Sequence, residues 1–448
     1  MNRTTDMTAG NPAKLILGLA VPLILTSLGQ QMYGIIDAVI VGRGVGVNAF
    51  AALGACDWLV WLVLWTVSGL TQGFSTLIAR SFGAGDEEKL HQVIGMCVRL
   101  CLYFGLALTI ICLIAAGPVL ALLHTPEEIF RDARLYLRMI WGGTFITIAY
   151  NMSASALRAA GDGKTPLIAM VTAGFTNIAL DLLFVMGLHM GIFGAALATL
   201  MAQMLAFLYC LAIILRSPVF FLEKRHFSRN RGLAAKLCRT GFPMALSSVV
   251  VALGGIIAQK VINFYGPVFV AGCTAANKLH QLMDCSALAL GFASTAYIGQ
   301  NYGAGRLDRI REGIRKATVI ALILGGSISV FMILFGRPAV GFFLSAGTEN
   351  ADAALEVAYQ YVIVMSAMLI SAYLMNLYHY SLQGIGNSRD PMISGLFQLG
   401  ARVFTALVFP LFLGQFGVFF MDGNAWCAAG IFQIICFYRT LGKLEKTG

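Results

Sequence analysis

The stretch YGIIDAVIVG, Tyr33 to Gly42, sits inside the first long apolar run of the chain. Its surroundings read as a membrane-crossing helix, yet a carboxylate, Asp37, stands in the middle. How that acid is read depends on the solvent around it. Of 448 residues, 58% are hydrophobic and only 12% charged, about half the charged share usual in soluble domains. Mean hydropathy is +0.79. A soluble protein of this length needs a polar exterior that such a composition does not supply. The expected fold is therefore an all-α integral membrane protein, with lipid covering most of its surface.

A helix needs roughly 20 apolar residues to cross the hydrocarbon core. Working outward from Asp37, twelve spans are predicted: 14–41, 50–79, 91–117, 133–157, 166–187, 191–215, 236–265, 270–299, 314–336, 355–381, 391–414 and 416–438. The longest polar break, 216–235, falls halfway along the chain. It reads as a cytoplasmic linker between an N-terminal six-helix bundle, 1–215, and a C-terminal one, 236–448. The halves repeat. RSFGAGDEEKL at 80–90 matches QNYGAGRLDRI at 300–310, Pro22 aligns with Pro243, and LRAAGDGKTP at 157–166 matches LQGIGNSRDP at 382–391. Three matches in order at nearly constant offset define a parallel repeat, an arrangement in which transporters often hold their site between the halves.

The net charge of +10 belongs to orientation rather than to nucleic acid. With the N-terminus inside, the inner segments carry 22 Lys and Arg and the outer loops only Arg43, Arg131, Arg134 and Arg337. That asymmetry places both termini in the cytoplasm and makes the plasma membrane the expected location. Ten cysteines are scattered through apolar runs without a CxxC pair, so they read as small hydrophobes. The apolar run after the polar N-terminus is too long for a signal peptide.

Polar residues inside the spans carry the functional reading. Asp37 lies 15 residues after Pro22, about 22 Å along a helix, and Pro22 is placed to bend it. In TNIALDLLFVMG, Asn177 and Asp181 are four apart and share one helix face. Thr199 follows in the next span. Asp37, Asn177, Asp181 and Thr199 offer only oxygens, a set suited to H+ or Na+. An ionised Asp at mid-membrane costs roughly 3 kcal/mol unless protonated, paired or solvated. Two neighbouring carboxylates also resist double ionisation. The blander alternative is that each acid satisfies local donors. The second half does not copy the set: its aligned positions are Ala258, Ala406 and Arg402. Arg402 is expected to pair with Asp284 or to touch an anionic part of a ligand. Lys278 and His280 are expected to line a cavity or snorkel.

These residues resemble the multidrug and toxic compound extrusion (MATE) family over nearly the whole chain. The likeness rests on the twelve spans in two bundles, on VP and DAVIVG in span one, FGAGD after span two, ALRAAGDGKTP before span five and TNIALDLLFV within it. It is strongest to the prokaryotic branch named for a DNA-damage-inducible transporter. That resemblance maps Pro22, Asp37, Asn177, Asp181 and Thr199 onto the family's bend and cation-coupling residues, and adds Tyr136. It implies antiport: export of amphiphilic, often cationic aromatic compounds against inward H+ or Na+, with no other cofactor, by a monomer in the bilayer. The sodium-driven branch carries acids in helices seven and ten, but residues 240–266 and 357–389 contain no Asp or Glu, so coupling is expected in the first bundle. Candidate cavity residues are Tyr33, Phe145, Met152, Phe175, Met244, Met283 and Met375, with Lys278 and Arg402. Two rival readings stand beside it: a lipid-linked oligosaccharide flippase of the same superfamily, kept alive by Arg402 and Lys278, and a membrane-embedded enzyme. The six histidines form no HxxxH pair and there is no Walker motif.

Overall fold

The computed structural model describes residues 4–123, 125–228, 230–342 and 351–447. Arg3 and Arg229, both among the inner basic residues, and the side chain of Arg43 lie outside the described residues. The chain forms α1 (Pro12–Gly44), α2 (Val47–Gly83), α3 (Glu87–Leu122), α4 (Glu127–Gly142), α5 (Thr144–Ala159), α6 (Lys164–Asp181), α7 (Gly191–Arg216), α8 (Arg231–Phe264), α9 (Pro267–Gly303), α10 (Leu307–Gly341), α11 (Ala351–Gly384), α12 (Arg389–Leu413) and α13 (Met421–Thr447). Helices dominate because lipid offers backbone N–H and C=O groups no partner, so each segment must satisfy its own.

Ten stretches are long and apolar enough to cross a membrane alone. The twelve expected spans are reached in two ways. Arg389–Lys446 is one apolar stretch containing both α12 and α13. The span expected at 133–157 is instead two 16-residue helices, α4 and α5, broken at Gly142–Gly143. α4 starts six residues before the expected boundary because its first turns carry Glu127, Glu128, Arg131 and Asp132, residues that hydropathy assigns to a loop.

The repeat is visible in the backbone. Gly85 and Gly305, the second glycines of the two GAG turns, have φ of 66° and 69°. That left-handed conformation costs glycine nothing and strains any other residue. Asp162 accepts the Thr165 N–H (2.9 Å) and Asn387 accepts the Asp390 N–H (3.1 Å), so the same side-chain turn opens α6 and α12. The fold divides into two compact units. One comprises Met1–Asp6 and Leu25–Ala245, the other Met7–Ile24 and Leu246–Gly448. The chain passes from one unit to the other within α1, two residues after Pro22, and within α8, two residues after Pro243.

Small residues set the helix packing, as they do in membranes where lipid removes the ordinary hydrophobic drive between helices. In the first unit Gly73 of α2 and Gly241 of α8 touch so closely that a Cβ on the former would strike the latter's Cα. In the second, Gly313 leaves room for the Tyr297 ring and Gly423 for Met368. All ten cysteines are free and seven are buried, as expected of small hydrophobes. Large apolar side chains lie on the surface: Ile114, Leu215, Leu334 and Leu411 are each more than 65% exposed.

Candidate functional site

In the first unit α1 runs alongside α6 in parallel. A Cβ on Gly174 would lie 3.8 Å from the Tyr33 Cβ, and further along both helices Gly44 abuts Val185 and Met186. Between these two points the side chains of Asp37 and Asp181 meet at hydrogen-bonding range. Asn177, one turn before Asp181, is 1% exposed, and Asp181 is fully buried. Among the described residues, Asp37 Oδ1, both Asp181 carboxylate oxygens and both amide atoms of Asn177 are buried without a donor or acceptor partner. Two ionised carboxylates are both acceptors, so neither satisfies the other unless a proton or cation lies between them.

Local structure explains why α6 can carry this pair. The helix does not end at Asp181 but widens into a π-helical turn over Leu182–Gly187. Such turns concentrate at functional sites because they free and redirect backbone carbonyls. Tyr33 and Tyr136 both lie in the electrostatic neighbourhood of Asp37. So does Asp57 on α2, a third acid whose charge acts on Asp37 and on Tyr136. The sequence reading passed over Asp57. Its signal was plain, a carboxylate inside span two beside Trp58 and Trp61, but neither helical spacing nor the family motifs drew attention to it.

Thr199 is half-buried on α7, which packs along α6. Among the described residues no hydrogen bond joins it to the acids. Pro22 lies inside α1 just before the chain changes unit. Among the described residues no group of three or more His, Cys, Asp or Glu could hold a metal ion, so a sodium ion here would draw on the Asn177 amide beside the two carboxylates.

The remaining candidates scatter. Phe145 and Phe175 are exposed on the first unit, whereas Met152 and Met244 are buried in its packing. Met283 and Met375 are buried in the second unit, the latter's sulfur facing the Gln398 amide at 3.1 Å. Lys278 is exposed on α9. His280 stacks on Trp426 with ring centroids 5.0 Å apart. The Arg402–Asp284 pairing is corrected: Arg402 Nη2 donates to Asp422 Oδ1 at 2.6 Å, Tyr361 donates to Asp422 Oδ2 at 3.0 Å, and Asp284 instead accepts from Asn376 at 3.3 Å. α12 and α13 pack together, so the acid on α13 is the nearer one. Arg402 is thus buried and committed to a structural pair.

Comparison with known proteins agrees with this architecture. The MatE family model matches residues 22–183 and again 243–408, once in each half of the chain. The chain is 28% identical over 333 residues to the probable multidrug resistance protein YoeA of Bacillus subtilis, covering 72% of each. It is 24% identical over 449 residues to the probable multidrug resistance protein NorM of Thermotoga maritima, covering 97% of this chain and 93% of that one. A crystal structure of a MATE protein in complex with MaL6 superposes with a TM-score of 0.92 at 25% identity over the full length of both chains. With a double family match over most of its length and two repeated bundles of helices, the chain belongs to the MATE family and is a membrane transporter rather than an enzyme.

Proposed function

We propose that the chain is a cation-coupled multidrug antiporter of the DNA-damage-inducible-like branch, exporting amphiphilic, often cationic aromatic compounds against inward H+ or Na+. It acts in the plasma membrane with both termini in the cytoplasm. The observation that carries this reading is the facing pair Asp37–Asp181 beside the buried Asn177, in which, among the described residues, Asp37 Oδ1 and both Asp181 oxygens have no donor. One proton shared between the carboxyls, or one sodium ion held by them and the Asn177 amide, satisfies acceptors that otherwise remain bare.

The work of coupling follows from the same geometry. With the cation bound, the carboxylates stop repelling each other and α1 packs against α6. With it lost, repulsion and bare acceptors favour another arrangement, and Pro22 supplies a point at which α1 can rebend. Cation and drug must stabilise different arrangements, because a ligand that binds both equally shifts nothing. Tyr33 and Tyr136 flank the pair and offer aromatic faces that attract cationic drugs. Multidrug resistance and export proteins among the relatives support drug export as the activity.

The test is transport of a cationic dye in proteoliposomes under an imposed proton or sodium gradient, with Asp37→Asn alongside wild type. Wild type is expected to accumulate dye under at least one gradient and the variant under neither. Equal gradient-driven transport by both proteins defeats the assignment.

A further inference from the structure

The second unit holds a lysine that the acid pair does not explain. Among the described side chains of α9, four are exposed: Ala271, Thr274, Lys278 and Gln281. They recur at intervals of three, four and three, so they form one face of the helix. None is a large hydrophobe, although α8 exposes Phe242, Leu246, Leu253, Ile256, Ile257 and Phe264, and α10 exposes Val319, Leu322, Ile323, Val330 and Phe331 among others. The neighbouring helices present grease to lipid; α9 presents a threonine, a lysine and a glutamine.

Depth makes the lysine costly there. The exposed apolar face of α8 runs from Phe242 to Phe264, about 33 Å at 1.5 Å per residue, close to the roughly 30 Å of the hydrocarbon core. The α8–α9 turn, Tyr265 and Gly266, therefore lies near one membrane boundary. Lys278 is eleven residues beyond Pro267, about 16 Å deeper, near the midplane. The other end agrees. α10 exposes its first large hydrophobe only at Val319, twelve residues after its start, so the α9–α10 turn protrudes about 18 Å from the core. From the midplane a lysine stem does not reach either interface. Among the described residues no carboxylate lies within ion-pair distance of Lys278. Asp284 is six residues further along α9 and engaged with Asn376, and Asp422 holds Arg402. Lys260, by contrast, sits one turn from the end of the lipid-facing stripe of α8 and snorkels.

An uncompensated ammonium near the midplane on a polar face means that this face lines water rather than lipid. We propose that the Thr274–Lys278–Gln281 face of α9 is a ligand-binding surface for the acidic group, carboxylate or sulfonate, of an amphiphilic aromatic substrate. The substrate class then includes zwitterions as well as simple cations. Lys278 supplies the charge, and the Gln281 side-chain amide, one turn further along, supplies an N–H donor to the same oxygens, while the Thr274 hydroxyl donates to the Val270 carbonyl at 2.8 Å and keeps the face polar. Arg402 plays no part, being buried and paired. The proposal rests on the export reading only in taking the wet face as part of the transport route.

The test uses two rhodamine dyes of matched ring system, one with its carboxyl esterified (a cation) and one with it free (a zwitterion). Binding to the purified full chain in detergent is read by fluorescence polarisation, with no gradient, for wild type, Lys278→Gln, Lys278→Arg and Lys260→Gln. Lys278→Gln is expected to weaken the free acid at least tenfold and to leave the ester within twofold. Lys278→Arg is expected to keep most of the acid affinity, and Lys260→Gln to change neither dye. An equal loss for both dyes, no loss for either, or the same loss in Lys260→Gln overturns the proposal. Selective binding with no gradient-driven export of either dye leaves this surface standing and removes the export reading instead.

Discussion

Asp181→Asn tests the acid pair where its energetics are sharpest. Asp181 is fully buried with both carboxylate oxygens unpartnered, opposite an Asp37 that also has a bare oxygen. A buried polar atom left without its hydrogen bond costs about 1–3 kcal/mol. Replacing Asp181 by Asn removes one negative charge from the pair. It also introduces an N–H2 group able to donate to Asp37, a charge-assisted bond. The variant should therefore be more stable than the cation-free wild type by about 1–3 kcal/mol, read as a rise in Tm of about 1–3 °C for a chain of 448 residues in sodium-free detergent buffer. The same substitution should abolish coupling. If one proton is exchanged per drug, a gradient of one pH unit supplies about 1.4 kcal/mol, roughly a tenfold accumulation of substrate. Asp181→Asn should accumulate none above equilibration. Thermal unfolding and dye accumulation in proteoliposomes measure the two arms. A variant that unfolds several degrees below wild type while still pumping tenfold would refute the reasoning, because the pair would then be a structural contact and not an exchange site.

Other expectations follow from the packing. Arg402→Met leaves Asp422 buried without its cation and should cost about 3–5 kcal/mol, whereas the double variant Arg402→Met/Asp422→Leu should recover most of it; thermal unfolding of both decides. Gly73→Leu should prevent α2 from meeting α8 at Gly241 and lower the yield of folded protein on size-exclusion chromatography, while Gly54→Ala, which has open space around it, should not. Gly95→Ala should displace the 224–227 turn, because the new methyl meets the His226 carbonyl; faster proteolysis between Phe220 and Arg231 measures it. A cysteine at Ser228 in a cysteine-free background should react with a membrane-impermeant maleimide only from the cytoplasmic side of oriented vesicles.

Much of this architecture was legible because lipid imposes a length rule that hydropathy reads directly. The two GAG turns were legible because a left-handed backbone demands glycine, so Gly85 and Gly305 persist where flanking side chains do not. The fourth span was misjudged because α4 begins with four charged residues among its first six, and nothing in their composition says that they are helical. The partner of Arg402 was not legible. The sequence offers Asp284 and Asp422 on different helices, and only the packing of α12 against α13 chooses between them. Depth, the four-residue spacing of Asn177 and Asp181 and the family resemblance single out Asp37 and Asp181, but their direct meeting depends on α1 and α6 running in parallel, which no local pattern announces. The π-helical turn after Asp181 left no trace beyond an unremarkable apolar run, LLFVMG.

The crossing of the chain within α1 and α8 bears on how such a protein came to exist. Residues Met7–Ile24 open the first repeat yet fold as part of the second compact unit, where Met7 is 1% exposed and its backbone is bound by Gln300 and Asn301. An ancestral half-length polypeptide built this way would have needed a sister copy to complete itself by trading opening segments. Fusion of two copies turned that barter into a covalent bond. Fragments severed inside the 217–230 connection should accordingly fail when made singly and reassemble when made together, a complementation that simple side-by-side modules would not require.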